Sequence, residues 1–198
     1  MDKEVIKIIE ELSKDHPDIL NYHIKIVAKY CKQFAKIYKA NLEVVELAAW
    51  LHDIAKLRGM REGHHIAGAE ESEQILRKLG YSEDIIKQVK ECVLCHSSDE
   101  KYPRVTLEAN VVANADSLAH FDNFIGLCQA AFCGRKLGRE EARQWLLGKF
   151  ERSWKKLTLP EAQKITKPKL EMIKEISRKP NKLPTSKCLN QLRDQLAL

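Results

Sequence analysis

The stretch Ala48-Ala49-Trp50-Leu51-His52-Asp53-Ile54-Ala55-Lys56 sets an imidazole and a carboxylate side by side near the end of the chain's most apolar segment. The spacing predicts a buried helix over 42–56, with Val45, Leu47, Ala48, Ala49, Leu51 and Ile54 as apolar residues and Asn41 as N-cap. Neighbouring side chains on a helix project about 100° apart. His52 and Asp53 can therefore both reach one ion lying over that edge. Lys56 falls on the same face, three residues after Asp53 and four after His52. A cation there can hold a phosphate oxygen beside the metal.

Apolar residues elsewhere also recur with a helical period. One helix is expected over 21–38, where Ile24, Val27, Ala28, Cys31, Phe34, Ala35 and Tyr38 oppose Lys25, Lys29, Lys32 and Lys36. Others are expected over 69–79, closed by Gly80, from Ser82 to about Cys95, and from Thr106 to about Phe124. A further one covers 139–157, with Trp145, Leu146, Phe150 and Trp154 on its inner face. No segment alternates with period two for more than a few residues, so the fold class is all-α. Pro160, Pro168, Pro180 and Pro184 punctuate a C-terminal part expected to hold one or two helices and then a frayed end. The division read from this is 1–157 as the main domain and 158–198 as a basic helical extension.

Composition narrows the function classes. The chain has 198 residues with 34 Lys plus Arg and 28 Asp plus Glu, a formal charge of +6. Residues 155–187 hold ten basic and three acidic residues, whereas 1–154 hold 23 basic and 24 acidic ones. A near-neutral body does not suit a nucleic-acid binder. The basic excess reads as solvated surface, an oligomer contact such as a homodimer interface, or a weak partner site. No apolar run has the roughly 18 residues needed to cross a bilayer. The start, MDKEVIKIIEELSKD, is not a secretory signal. The expectation is a cytoplasmic protein with no membrane partner. Its six cysteines, Cys31, Cys92, Cys95, Cys128, Cys133 and Cys188, would then be reduced. Cys92 and Cys95 have CxxC spacing without a second pair and read as two small buried side chains on one helix face.

The histidines are more informative. His23 starts the 21–38 helix, His64 and His65 end the loop after Lys56, and His96 follows the Ser82 helix. Asp116 sits inside the apolar run 111–119, where a carboxylate costs several kcal/mol unless paired or bound to a cation. His52 and Asp53 with His23 and Asp116 make a mixed N/O set. That set suits Mn, Fe, Co, Ni, Zn or Mg in an open site. Water held on such an ion becomes hydroxide near neutral pH and is a nucleophile. His16 and His120 are left over and are assigned structural or solvent roles. Arg58, Arg61 and His65 are candidate phosphate contacts in the loop, along with Lys56.

The string His52-Asp53-Ile54-Ala55-Lys56 resembles the motif that names the HD-domain superfamily, often written HDIGK. His23 matches the superfamily's first histidine and Asp116, in Asn114-Ala115-Asp116-Ser117-Leu118, its last aspartate. His64 and Gly68 fit its HxxxG element, and His96 fits the histidine ending the next helix. The resemblance covers residues 18–125. It implies a single-domain HD-type helical bundle around a central metal site, with extra C-terminal helices. It also implies metal-dependent hydrolysis of a phosphate ester or phosphoanhydride, by metal-held hydroxide, in a small phosphorylated substrate such as a nucleotide. His23, His52, Asp53 and Asp116 would ligate one divalent ion. His64 and His96 would complete a second, bridged by Asp53, or His64 would give a proton to the leaving oxygen. On this reading Asp53, Lys56 and His64 carry the chemistry.

Ala55 stands where glycine is frequent. Leu57, Arg58 and Gly59 fill the place where several nucleotidase branches carry a Glu, which argues against a simple nucleoside-monophosphate phosphatase. The same six ligands would also suit a di-iron HD-type oxygenase. A third alternative is a non-catalytic nucleotide-sensing module.

Overall fold

The computed structural model describes residues 2–97, 99 and 101–178. Its helices in chain order are α1 (Lys3–Leu12), the short α2 (Pro17–Ile19), α3 (Lys25–Tyr38), α4 (Leu42–Leu51), α5 (Ile54–Leu57) and α6 (His64–Lys78). They continue with α7 (Glu83–Cys95), α8 (Leu107–Asp122), α9 (Phe124–Gln129), α10 (Arg139–Lys156) and α11 (Pro160–Ile176). π-helical turns occupy Leu20–Ile24 and Ala130–Gly134, and no strand occurs among the described residues.

α8 is the axis of the fold. Every residue from Val111 to Phe121 is buried. Alanines 109, 113, 115 and 119 keep its girth small, so α3, α4, α7, α10 and α11 all pack against it. The main core joins α1, α3, α4, α6, α7 and α8 through residues such as Ile24, Phe34, Leu47, Leu51, Leu76, Val89 and Leu118. A smaller second core lies at the far end of α8. There Phe121 meets Ala131, Ala142, Leu146, Phe150, Leu170 and Ile173. Cys92 and Cys95 are both buried, as their spacing on one helix face predicted.

The caps follow the local chemistry. The Asn41 side chain accepts from the backbone N–H groups of Glu43 and Val44, Ser82 from Ile85 and Thr106 from Ala109. Two elements differ from the periodicity. The helix expected over 42–56 breaks at Asp53, whose φ of −110° and ψ of 17° are not helical. Its carbonyl accepts from Lys56 and Leu57 and restarts the chain as α5. The helix expected from residue 69 instead begins at His64, behind Gly63 in the left-handed region at φ +63°. His64 and His65 therefore lie in a first helical turn, not in a loop.

The C-terminal part is joined to the body. α11 packs on α8 and α10, and Ala162 enters the main core. Asn114, buried on α8, binds the connection between α10 and α11. Its Oδ1 accepts from the backbone N–H of Thr158 at 2.9 Å and of Leu159 at 3.0 Å, and its Nδ2 donates to Thr158 Oγ1 at 3.0 Å. The frayed end expected after α11, with Pro180, Pro184 and Cys188, lies outside the described residues. Asn114→Val leaves two backbone donors without an acceptor. It is expected to cost about 2–4 kcal/mol and to lower the thermal midpoint by roughly 5–12 °C, measurable by urea and thermal denaturation.

Candidate metal centre

Four pieces of local geometry converge beside α8. The π-helical turn Leu20–Ile24 aims His23 inward. The end of α4 and the break after it present His52 and Asp53. The first turn of α6 brings His64, and the end of α7 brings His96. α8 supplies Asp116 from its middle. All are buried except His64, which is partly exposed.

Three of the imidazoles are fixed in the same way. Nδ1 of His52, His64 and His96 each faces a backbone carbonyl three residues earlier, those of Ala49 at 2.8 Å, Arg61 at 2.9 Å and Val93 at 2.5 Å. A carbonyl only accepts, so the neutral ring carries its proton on Nδ1 and turns the Nε2 lone pair into the cluster. His52 Nε2 lies 3.2 Å from His23 Nε2, and His64 Nε2 lies 3.3 Å from His96 Nε2. The lone pairs of His64 and His96 at that separation repel unless a cation lies between them.

The carboxylates complete the arrangement. Asp53 Oδ2 is 3.4 Å from His23 Nε2 and 3.5 Å from His52 Nε2, while its Oδ1 is 3.5 Å from His96 Nε2 and 3.9 Å from His64 Nε2. Asp116 Oδ1 is 3.3 Å from His23 Nε2. Asp116 Oδ1 is buried without a hydrogen-bond partner, and Asp53 Oδ1 meets only the Lys56 ammonium. Buried anionic oxygens this sparsely partnered, facing imidazole nitrogens, fit a divalent cation. Among the described residues, three sets have ligand atoms within 4.8 Å of one another: His23, His52 and Asp53; Asp53, His64 and His96; His23, Asp116 and His120. Asp53 belongs to two of them and His23 to two.

The electrostatics agree with ligand duty. Burial pushes Asp53 up, but Lys56, His52, His23 and His96 together hold it well below the usual carboxylate range. Asp116 is held down likewise by His120, Lys156 and His23 against its burial. Burial pushes the His52 imidazole down to about 4. Burial and then Lys56 do the same to His64, which also falls to about 4. Both stay neutral at physiological pH. In this tautomer the His64 Nε2 lone pair faces the cluster.

Not every expected site residue arrives. Lys56 Nζ is 2.8 Å from Asp53 Oδ1 and lines the cleft above the cluster. Arg58 instead pairs with Glu71 at 2.6 Å on the surface, and the exposed Arg61 contributes its carbonyl to His64. His65 points away, 3.4 Å from Asp99 Oδ2 and packed edge-on to Tyr102. None of these three lines the cleft.

His120, set aside in the sequence, is buried and stacks on His23 with ring centroids 5.3 Å apart. It reaches Asp116 at 3.7 Å, and Ser153 Oγ sits 3.1 Å from its Nδ1. The available signal was its i+4 spacing from Asp116. Lys156, counted with the basic tail, lies 3.4 Å from Asp116 Oδ2. His16 is exposed at the start of α2.

A cleft of about 1230 Å³ opens over the cluster. His23, Asp53, Lys56 and His120 line one end, and Tyr22, Arg135, Trp145, Lys149 and Arg152 line the rest. No helix among the described residues is long and apolar enough to cross a membrane.

The family model described as HD domain matches residues 20–120. A tRNA (cytidine(56)-2′-O)-methyltransferase from Thermoplasma volcanium is 29% identical over 137 residues, 64% of this chain. The match spans only 39% of that protein's length. An uncharacterized protein from Methanocaldococcus jannaschii is 31% identical over 111 residues, 48% of this chain and 63% of that one. Among solved structures, an HD-superfamily hydrolase from Bacillus thuringiensis superposes with a TM-score of 0.63, covering 88% of this chain and 93% of that one at 20% identity. At that identity the likeness shows the fold alone.

In chelator, acid is expected to destabilise the fold through His52. Its folded pKa of about 4 lies below the ordinary 6.5, so the unfolded chain binds more protons between these values. Stability therefore falls as pH drops from about 6.5 towards 4, with His52 contributing on the order of 3 kcal/mol. His23, raised by its carboxylate partners, opposes this. His52→Gln cannot titrate and is expected to lose that part of the slope, read from urea midpoints at each pH.

Proposed function

This chain belongs to the HD-domain family, and from that premise we propose that it is a metal-dependent phosphohydrolase acting on a small phosphorylated molecule of the nucleotide type. The observation that carries this reading is the convergence of two buried carboxylates, Asp53 and Asp116, with four histidine Nε2 atoms beneath an open cleft, Asp116 Oδ1 having no hydrogen-bond partner. The mixed N/O set suits Mn, Fe, Co, Ni, Zn or Mg. His23, His52, Asp53 and Asp116 would hold one ion. His64, His96 and Asp53 would hold a second, with His120 available beside Asp116. When bound, such ions activate water and neutralise charge on the phosphoryl oxygens.

The protein's own groups supply the rest. The Nδ1–carbonyl bonds hold three rings in one orientation, so little reorganisation accompanies binding. Lys56 is braced against Asp53 and still lines the cleft, where its ammonium can meet a phosphate oxygen. Lys156 balances the charge of Asp116 from the opposite side. In the net reaction a P–O bond breaks, the oxygen of water forms the new one, and the leaving oxygen takes up a proton.

The test is turnover of nucleotides and generic phosphodiesters by the purified chain with each divalent ion in turn, alongside metal analysis. Metal-dependent release of phosphate or a nucleoside product is expected. Asp53→Ala and Asp116→Ala should each lower kcat/KM by roughly a thousandfold, about 4 kcal/mol of barrier. Absence of both turnover and metal would overturn the reading. Iron content with oxygen uptake would replace it with oxidative chemistry.

A further inference from the structure

α10 presents two different faces. Leu146, Phe150 and Ser153 point into the protein, towards the second core and His120. Trp145, Lys149 and Arg152, spaced i, i+4 and i+7, line the cleft instead. They cover about 10 Å along the helix axis at 1.5 Å per residue. The other cations near the centre are committed. Lys56 pairs with Asp53 and Lys156 with Asp116. Lys149 and Arg152 have no hydrogen bond or ion pair with the described residues. Lys149 is partly buried, and it senses Asp116, Lys56, Lys156 and Asp53. It lines the same cleft as His23, Asp53, Lys56 and His120. Burial pushes its ammonium down to about 8, a cost that an arriving anion relieves. Trp145 carries the Arg135 guanidinium 4.9 Å over its ring, and both side chains line the cleft, so a planar ring can stack on this pair.

We propose that α10 is the recognition wall of the cleft, with Lys149 and Arg152 binding a phosphate other than the one cleaved and Trp145 receiving a planar ring, so that the substrate is a nucleotide carrying two or more phosphates. This rests on the phosphohydrolase reading for the identity of the scissile group. It does not rest on it for the binding itself. A monophosphate seated at the centre would leave the two free cations unanswered. A chain of phosphates reaches both.

The experiment measures binding by calorimetry to the full chain loaded with metal, using AMP, a non-hydrolysable methylene analogue of ADP, and inorganic pyrophosphate. The wild type is expected to bind the ADP analogue at least about tenfold more tightly than AMP. Lys149→Gln combined with Arg152→Gln should reduce affinity for the ADP analogue and pyrophosphate about tenfold or more while changing AMP affinity less than about twofold. Lys149→Arg should retain most of the affinity. Trp145→Ala should weaken the ADP analogue and leave pyrophosphate unchanged. Metal content should match the wild type in every variant, and the thermal midpoint in the Lys149 and Arg152 variants, whereas Trp145→Ala also loses packing on the second core and is compared at a temperature where it is folded. Equal losses for AMP and the ADP analogue, or no loss for the ADP analogue, would overturn the proposal. If the binding pattern appears without hydrolysis, the wall stands and the phosphohydrolase reading fails. If hydrolysis proceeds and the pattern is absent, the wall assignment fails and the reading survives.

Discussion

The buried carboxylate of Asp53 is the constraint around which the molecule is arranged. Removing such a group from water costs several kcal/mol, and the cost is met only where opposite charge or donors surround it. Here Lys56 supplies one positive charge, and the Nε2 atoms of His23, His52, His64 and His96 crowd the rest of the carboxylate, an arrangement that a shared divalent cation would complete. These groups come from four separate pieces of chain. Satisfying one carboxylate therefore fixes how α4, α6, α7 and the turn before α3 sit around α8. The helix break at Asp53 follows from the same demand, because a continuous helix would hold the carboxylate at a different angle.

The histidines also solve a local problem. The last carbonyls of a helix lack intrahelical partners. His52 and His96 each donate Nδ1–H to a carbonyl in the final turn of its own helix, at Ala49 and Val93. One hydrogen bond caps the helix and sets the tautomer. The helix end and the ligand orientation are thus a single feature.

Much of this could be read in the residues. The caps at Asn41, Ser82 and Thr106, the apolar periods and the six-residue His/Asp set all carry strong local signals, and the fold class followed from them. The cluster draws its members from places the sequence already marked: a dipeptide at a helix end, an aspartate inside an apolar run, histidines beside apolar faces. What was hidden depended on tertiary packing. The apolar pattern of residues 42–56 runs on without interruption, so nothing local shows the break at Asp53. Arg58 and Arg61 looked like phosphate contacts because they are basic and near the motif, but neither lines the cleft. His120 and Lys156 join the centre only because α8 and α10 lie side by side. Lys156 had been grouped with the basic tail on charge alone.

The two cores divide the labour of the cleft. Its floor, with the ligand cluster, is embedded in the large core that joins α1, α3, α4, α6, α7 and α8. Its outer wall, from α9 to α10, rests on the small core around Phe121 and Phe150, whose rings lie 5.1 Å apart. Local opening free energy follows the apolar area a segment buries. The wall accordingly yields at a lower cost than the floor. Chemistry is thereby held on the stiff part of the molecule and recognition on the compliant part, so the wall can diverge in sequence or adjust in shape while the ligand geometry beneath it stays fixed.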